Sequence, residues 1–185
     1  MNLEQTFLDD DKSIYIVKNV LSAEDLLVLQ EYCSKDNDWY NHENVEKTLF
    51  YIKHLRPRVF SILQEKIYES VIQKLETELI SQIRMPLLKH SAENTVTNDY
   101  GVWSIAPNSS DHSIIKNFTF FINDNYTGGE FVFIHKGIEV KPEANSLLIH
   151  LSSHLCGSKE ISDGYAYTYT EYLCDKDQYQ EWLQR

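Results

Sequence analysis

Cysteines, histidines and a tyrosine-rich strand are the residues best suited to chemistry in this 185-residue sequence. Cys33, Cys156 and Cys174 share no CxxC or other zinc-like spacing, and their odd count suits a reducing compartment rather than a disulfide framework. His90 and His135 stand alone and read as surface or hydrogen-bonded groups. His150 closes an apolar run, so it reads as buried and in need of a partner. Tyr165, Tyr167 and Tyr169 alternate with Ala166, Thr168 and Thr170, which gives the strand two unlike faces. Tyrosine offers a ligand or peptide large, stiff, amphipathic contact area at low entropic cost.

The elements that must position these residues are short strands. Phe118–Ile122, a polar turn bearing Gly128 and Gly129, and Glu130–Ile134 read as strand, turn and return strand, rich in β-branched and aromatic residues. Gly137–Pro142 and Asn145–His150 read as a second pair, joined by a short Pro-Glu-Ala turn. Tyr165–Leu173 closes the run, and this even spacing predicts a sandwich or jelly roll. Upstream, Ile14–Val17 reads as a strand bracing the major sheet, and Ser22 with Glu24 and Asp25 as a helix start. From Pro57 to Ile80, Val59, Phe60, Leu63, Ile67, Val71, Ile72, Leu75 and Leu79 recur at three- and four-residue steps, one apolar helix face to pack on the sheet. Residues 36–48 read as a polar surface loop, Met85–His90 and Val96–Ile105 as further strands, and 175–185 as a terminal helix.

Length and a 42% hydrophobic content suit one domain over 1–185, with support in 1–90 and the core in 91–173. Lys plus Arg total 17 against 28 Asp plus Glu, so phosphate backbones are repelled and nucleic acid is excluded as a partner class. The first residues lack the charged and apolar regions of a signal peptide, and no apolar run reaches spanning length, so a cytoplasmic protein without membrane partners is expected. Three Asn-x-Ser/Thr triplets, at Asn108, Asn117 and Asn125, are then chance matches.

The string Asn123-Asp124-Asn125-Tyr126-Thr127-Gly128-Gly129-Glu130-Phe131, followed by the strand pattern up to Leu173, resembles the catalytic core of prolyl 4-hydroxylase-like iron(II)/2-oxoglutarate dioxygenases. The resemblance covers roughly the second half of the chain, with weaker similarity over the N-terminal strand and helix start. It implies an α+β, mainly β fold, a double-stranded β-helix (jelly roll, cupin-like) braced by N-terminal helices. It also implies iron(II) on two histidines and one carboxylate, and an arginine fork on the far carboxylate of 2-oxoglutarate.

Set in the family's register, the metal positions fall on Asn108, Ser110 and Cys156, and the arginine position on Ala166, with Thr168 two residues on facing the co-substrate pocket. Tyr100 and Trp103 sit where the family places an aromatic beside the co-substrate, and with Tyr165 and Tyr167 they are the candidate cavity lining. The expectation is a pseudo-enzyme: no cofactor, and a protein partner or small ligand held by the retained scaffold. The alternative is an active hydroxylase with a shifted site on Asp111, His112 and His154, with Lys116 or Lys159 on the co-substrate. Adjacent residues of a strand point to opposite faces, which counts against Asp111 and His112 sharing one ion.

Overall fold

The computed structural model describes residues 4–35, 39–41, 50–52, 56–81, 87–91, 102–104 and 114–177. Two strands, β1 (Gln5–Phe7) and β2 (Ile14–Lys18), form a hairpin before helix α1 (Ala23–Ser34). The Asp25 backbone N–H donates to Ser22 Oγ at 3.2 Å, satisfying one of the orphan donors of α1's first turn. After β3 (Trp39–Asn41) and β4 (Phe50–Ile52) comes a long bracing helix in three parts: Pro57–Ser61, a π-type stretch Ile62–Ile72, and Gln73–Leu75. Proline at its first turn loses no helix hydrogen bond.

The remaining strands are β5 (Leu79–Ser81), β6 (Leu87–Ser91), β7 (Val102–Ser104), β8 (Ile114–Phe121), β9 (Thr127–Gly128), β10 (Phe131–Phe133), β11 (Ile138–Val140), β12 (Ser146–Leu151), β13 (Cys156–Lys159), β14 (Ile161–Asp163) and β15 (Tyr165–Asp175). A major sheet runs β1-β2-β12-β8-β15-β6-β4-β3, with β5 also on β15. A minor sheet runs β11-β10-β13-β7, and β14 pairs with β9 apart from both. From β8 onward the chain crosses repeatedly between two antiparallel sheets, as in a double-stranded β-helix; the mainly β, helix-braced jelly roll expected from the sequence is the fold of the chain.

Five readings of local order change. The turn after β8 carries the chain from the major to the minor sheet rather than back along its own strand, since β8 pairs with β12 and β15 while β10 pairs with β11 and β13. Likewise β11 and β12 lie in different sheets and form no hairpin. The bracing helix stops at Leu75, Leu79 opens a strand, and Phe60 is 47% exposed, the buried face running instead through Val59, Leu63, Ile67 and Val71 with Ile62, Tyr68 and Ile72 beside it. Asp175 ends β15, the backbone turns helical at Lys176 and Asp177, one residue later than expected, and 178–185 lie outside the described residues. Trp39–Asn41 is strand within the segment read as loop.

Two packed layers result. The outer face of the major sheet presents Tyr15, Val17, Phe118, Phe120, Leu147, Ile149, Tyr169 and Leu173 to Leu29, Leu63, Ile67 and Val71 of the helices. At roughly 25 cal/mol per Å² of apolar area removed from water, this layer is the main source of stability. The inner face joins Ile14, Ile16, Phe121 and Leu148 to Phe131, Phe133 and Cys156 of the minor sheet.

Candidate functional site

Strand alternation decides which side chains enter the jelly roll. On β8 the inward residues are Asn117, Thr119 and Phe121, because Phe118 and Phe120 pack on the helices. On β12 they are Ser146, Leu148 and His150, and on β15 Ala166, Thr168 and Thr170. Thr119 Oγ1 and Thr170 Oγ1 are 3.1 Å apart across the β8–β15 ladder, which fixes this face. All these polar residues are buried, so the interior intersperses polar groups with Phe121 and Leu148.

His150 is the most constrained of them. Its Nδ1 donates to the Leu151 carbonyl at 2.9 Å, its Nε2 lies 3.7 Å from Cys156 Sγ, and its ring meets the Phe133 ring edge-on at 5.1 Å. Burial pushes its pKa down to about 4 and pushes the Cys156 thiol up to about 12. Both groups are neutral near pH 7. Directly across the ladder from His150, Asn117 keeps a buried Oδ1 that has no hydrogen-bond partner among the described residues.

Ala166 is buried against Tyr126 and Ile161. Tyr126 arrives there from the glycine-bearing turn, with Lys141 Nζ 3.8 Å above its ring centroid. Burial, then the nearby carboxylates of Asp124 and Glu130, push the Tyr126 phenol up to about 12. An aromatic ring and an isoleucine therefore pack on the residue that the resemblance sets in the arginine position. Thr168 shares the inward face with Ala166, pairing with Phe121.

Tyr165 and Tyr167 are corrected as lining of the interior. Tyr167 packs on the helix side, where Tyr169 also lies, and Tyr165 is 48% exposed with its ring 6.5 Å from that of Tyr167. Lys116 turns outward too, paired with Glu76 at 2.6 Å, and Lys159 pairs with Glu139 at 2.6 Å on the surface; both are corrected as co-substrate cations. His154 lies in the turn between β12 and β13, with Nε2 2.8 Å from Ser13 Oγ, so the hairpin's loop holds it. Burial and the neighbouring Lys136 lower its pKa. Trp103 pairs with Ser158 in the β7–β13 ladder. Tyr100, Asn108, Ser110, Asp111 and His112 lie outside the described residues.

Outside the jelly roll, a cleft of about 390 Å³ lies between α1 and the turn after β8, lined by Leu27, Gln30, Glu31, Ser34, Asn123, Asp124, Asn125 and Tyr167. Gln30 Nε2 donates to the Ile122 carbonyl at 2.9 Å, and Asn123 bonds both the Tyr165 carbonyl and the Tyr167 N–H, so the walls are fixed. No local pattern marks this cleft, because it joins residues some ninety positions apart in the chain.

The strand order and the bracing helices define the class: this is the fold of the prolyl 4-hydroxylase-like 2-oxoglutarate oxygenases. Among solved structures, it is similar to the viral collagen prolyl hydroxylase of Paramecium Bursaria Chlorella virus-1 in a 2-oxoglutarate complex, with TM-score 0.61 and 10% identity over 90% of this chain and 98% of that one. It is also similar to a Trichoplax adhaerens prolyl hydroxylase complexed with a hypoxia inducible factor peptide, with TM-score 0.64 and 14% identity over 90% and 85%. A non-heme α-ketoglutarate-dependent carbocyclase from nogalamycin biosynthesis matches with TM-score 0.62 and 11% identity over 88% and 79%. No family model and no curated protein matches the sequence.

These neighbours correct the expectation of no cofactor. Neighbours sharing the fold are described as a 2-oxoglutarate complex, a non-heme α-ketoglutarate-dependent enzyme and a member of the 2OG-Fe(II) oxygenase family, which counts against an expectation of no cofactor. Tested on the described residues, the arginine position itself does not fit the co-substrate: Ala166 under Tyr126 presents a methyl group and no fork. Among the described residues no group of three or more His, Cys, Asp or Glu converges as a metal site, and no helix is long and apolar enough to cross a membrane.

Proposed function

We propose that this chain uses the oxygenase fold as a binding module, and that the cleft under α1 receives a cationic peptide or amine from a protein or small ligand. The observation that carries this reading is the cleft's composition. Tyr167 gives one wall an aromatic surface, Gln30 and Asn123 stiffen it, and Glu31 and Asp124 bring two carboxylates on a chain of net charge −11. A guanidinium or ammonium group gains both ring and carboxylate contacts there. Calorimetry with a tri-arginine peptide at low salt tests it. Saturable binding weakened at least tenfold by Tyr167→Ala and by Glu31→Gln supports the reading, and a flat titration or binding indifferent to both changes overturns it.

A second reading starts from the shared fold: we propose as the alternative an iron(II)- and 2-oxoglutarate-dependent oxygenase, with Asp111, His112 and His154 as the metal set to be tested. Anaerobic titration with Mn(II) and 2-oxoglutarate separates it from the first. Tight binding that requires both and disappears in His154→Ala supports the oxygenase. Absence of mutual dependence counts against it.

A further inference from the structure

We propose that His150 Nε2, Cys156 Sγ and Asn117 Oδ1 form a binding site for a borderline divalent cation of the zinc type inside the jelly roll. This site is independent of the outer cleft, and its donors differ from the two histidines and carboxylate that the family resemblance implies.

Three observations converge on it. First, the Nε2–Sγ distance of 3.7 Å is that of two corners of a metal tetrahedron: donors at about 2.1 and about 2.3 Å, opened to the tetrahedral angle, stand about 3.6 Å apart. Second, the Leu151 carbonyl holds Nδ1 at 2.9 Å, which keeps the proton there and leaves the Nε2 lone pair aimed at the sulfur. A backbone carbonyl on the far nitrogen is the usual orienting partner of a metal-bound histidine. Third, Asn117, only 3% exposed and directly paired with His150, keeps a buried Oδ1 with no partner. An orphaned buried acceptor costs about 1–3 kcal/mol.

A simple S–H to Nε2 hydrogen bond accounts for the first contact and leaves the amide oxygen unpaired. A cation satisfies all three donors. Imidazole with thiolate selects zinc-like ions over magnesium or calcium, and three protein donors leave the fourth corner to water or a small ligand. Binding forms the metal–sulfur, metal–nitrogen and metal–oxygen bonds and breaks the S–H bond, whose proton passes to solvent; no electron moves. The rings of Phe131 and Phe133, 5.9 and 5.1 Å from the imidazole, pack beside it.

The full-length chain, reduced and stripped with a chelator, is titrated anaerobically with Co(II) in the absence of 2-oxoglutarate. One equivalent should give a sulfur-to-cobalt charge-transfer band with strong visible absorption, displaced by Zn(II). The band should vanish in Cys156→Ser and His150→Gln, weaken at least tenfold in affinity in Asn117→Leu, and persist in Cys33→Ser and Cys174→Ser. Asn117→Leu replaces the amide by an apolar group of its own size and guards against loss by misfolding. Circular dichroism checks each variant, and if Cys156→Ser unfolds, the wild-type melting temperature must still rise with Zn(II) and return with chelator. No saturable band, a band that survives Cys156→Ser, or one that follows Cys33 or Cys174 overturns the site.

Discussion

Gly128 and Gly129 show how little freedom the family-like turn has. A Cβ on Gly128 would stand 2.1 Å from the Glu160 carbonyl oxygen, and one on Gly129 2.8 Å from the Tyr126 ring, with φ at +81° and +70°. Gly137 has a similar φ of +64° but open space around it. Gly137→Ala should therefore cost about 1 kcal/mol, the left-handed backbone alone, while Gly128→Ala should cost at least about 3 kcal/mol because a backbone oxygen cannot swing away. Urea denaturation of the two variants checks the order, and equal losses would refute the close approach. Asp9 makes a second case. Burial works against its charge, but Ser13 Oγ at 2.5 Å, the Ser13 and Ile14 N–H groups at 2.9 Å and Lys136 outweigh it and hold the carboxyl down at about 2 from an ordinary 3.8. The unfolded chain thus takes up this proton first as pH falls. The Asp9 contribution is complete above pH 3.8 and lost as pH drops through about 2. Asp9→Asn should cost about 2 kcal/mol at pH 7, with a gap to wild type that closes between pH 4 and 2 in denaturation curves.

The elements read from the sequence were those whose period speaks for itself. The β8, β12 and β15 alternation and the Ser22 cap of α1 follow from local rules, so the jelly roll was legible from Phe118 onward. Period says which residues share a face and leaves open which face turns inward. Tyr165 and Tyr167 read toward the cavity, yet the helices cover that side and Ala166, Thr168 and Thr170 take the interior. The Tyr126 ring on Ala166 was equally hidden, being a contact forty positions apart. So was the π-type stretch, whose wider turn breaks the 3.6-residue spacing. The bracing helix meets the sheet at Glu76, which is 11% exposed and accepts from both Tyr15 Oη and Lys116 Nζ. Glu76→Ala should cost about 3 kcal/mol, since it strands a partly buried ammonium. A double-mutant cycle with Lys116→Met should return a coupling of about 1–3 kcal/mol. A coupling near zero would show that the helix is held by apolar packing alone.

At the scale of the whole molecule, the major sheet is a wall with a different task on each side. Inside it stand His150, Asn117, Thr119 and Thr170, facing Cys156 of the minor sheet; outside it Tyr167 meets α1 at the cleft. Packed layers lie about 10 Å apart, and changes separated by that much with no shared partner add nearly independently. Tyr167→Ala should abolish cleft binding and leave the Co(II) spectrum unchanged, while Cys156→Ser should do the reverse. The double variant should lose both, with stability changes that sum to within about 0.5 kcal/mol. One element links the two sides: β15 carries Tyr167 outward and its neighbours Ala166 and Thr168 inward on one backbone. If cleft ligand shifts cobalt affinity, β15 must move as a rigid strand against β8, and the shift must be reciprocal, cobalt changing cleft affinity by the same factor. Titrating each ligand with the other saturating measures that factor. Unity is expected here, because the Asn123 bonds to Tyr165 and Tyr167 pin the start of β15 to the turn after β8 whether or not the cleft is filled.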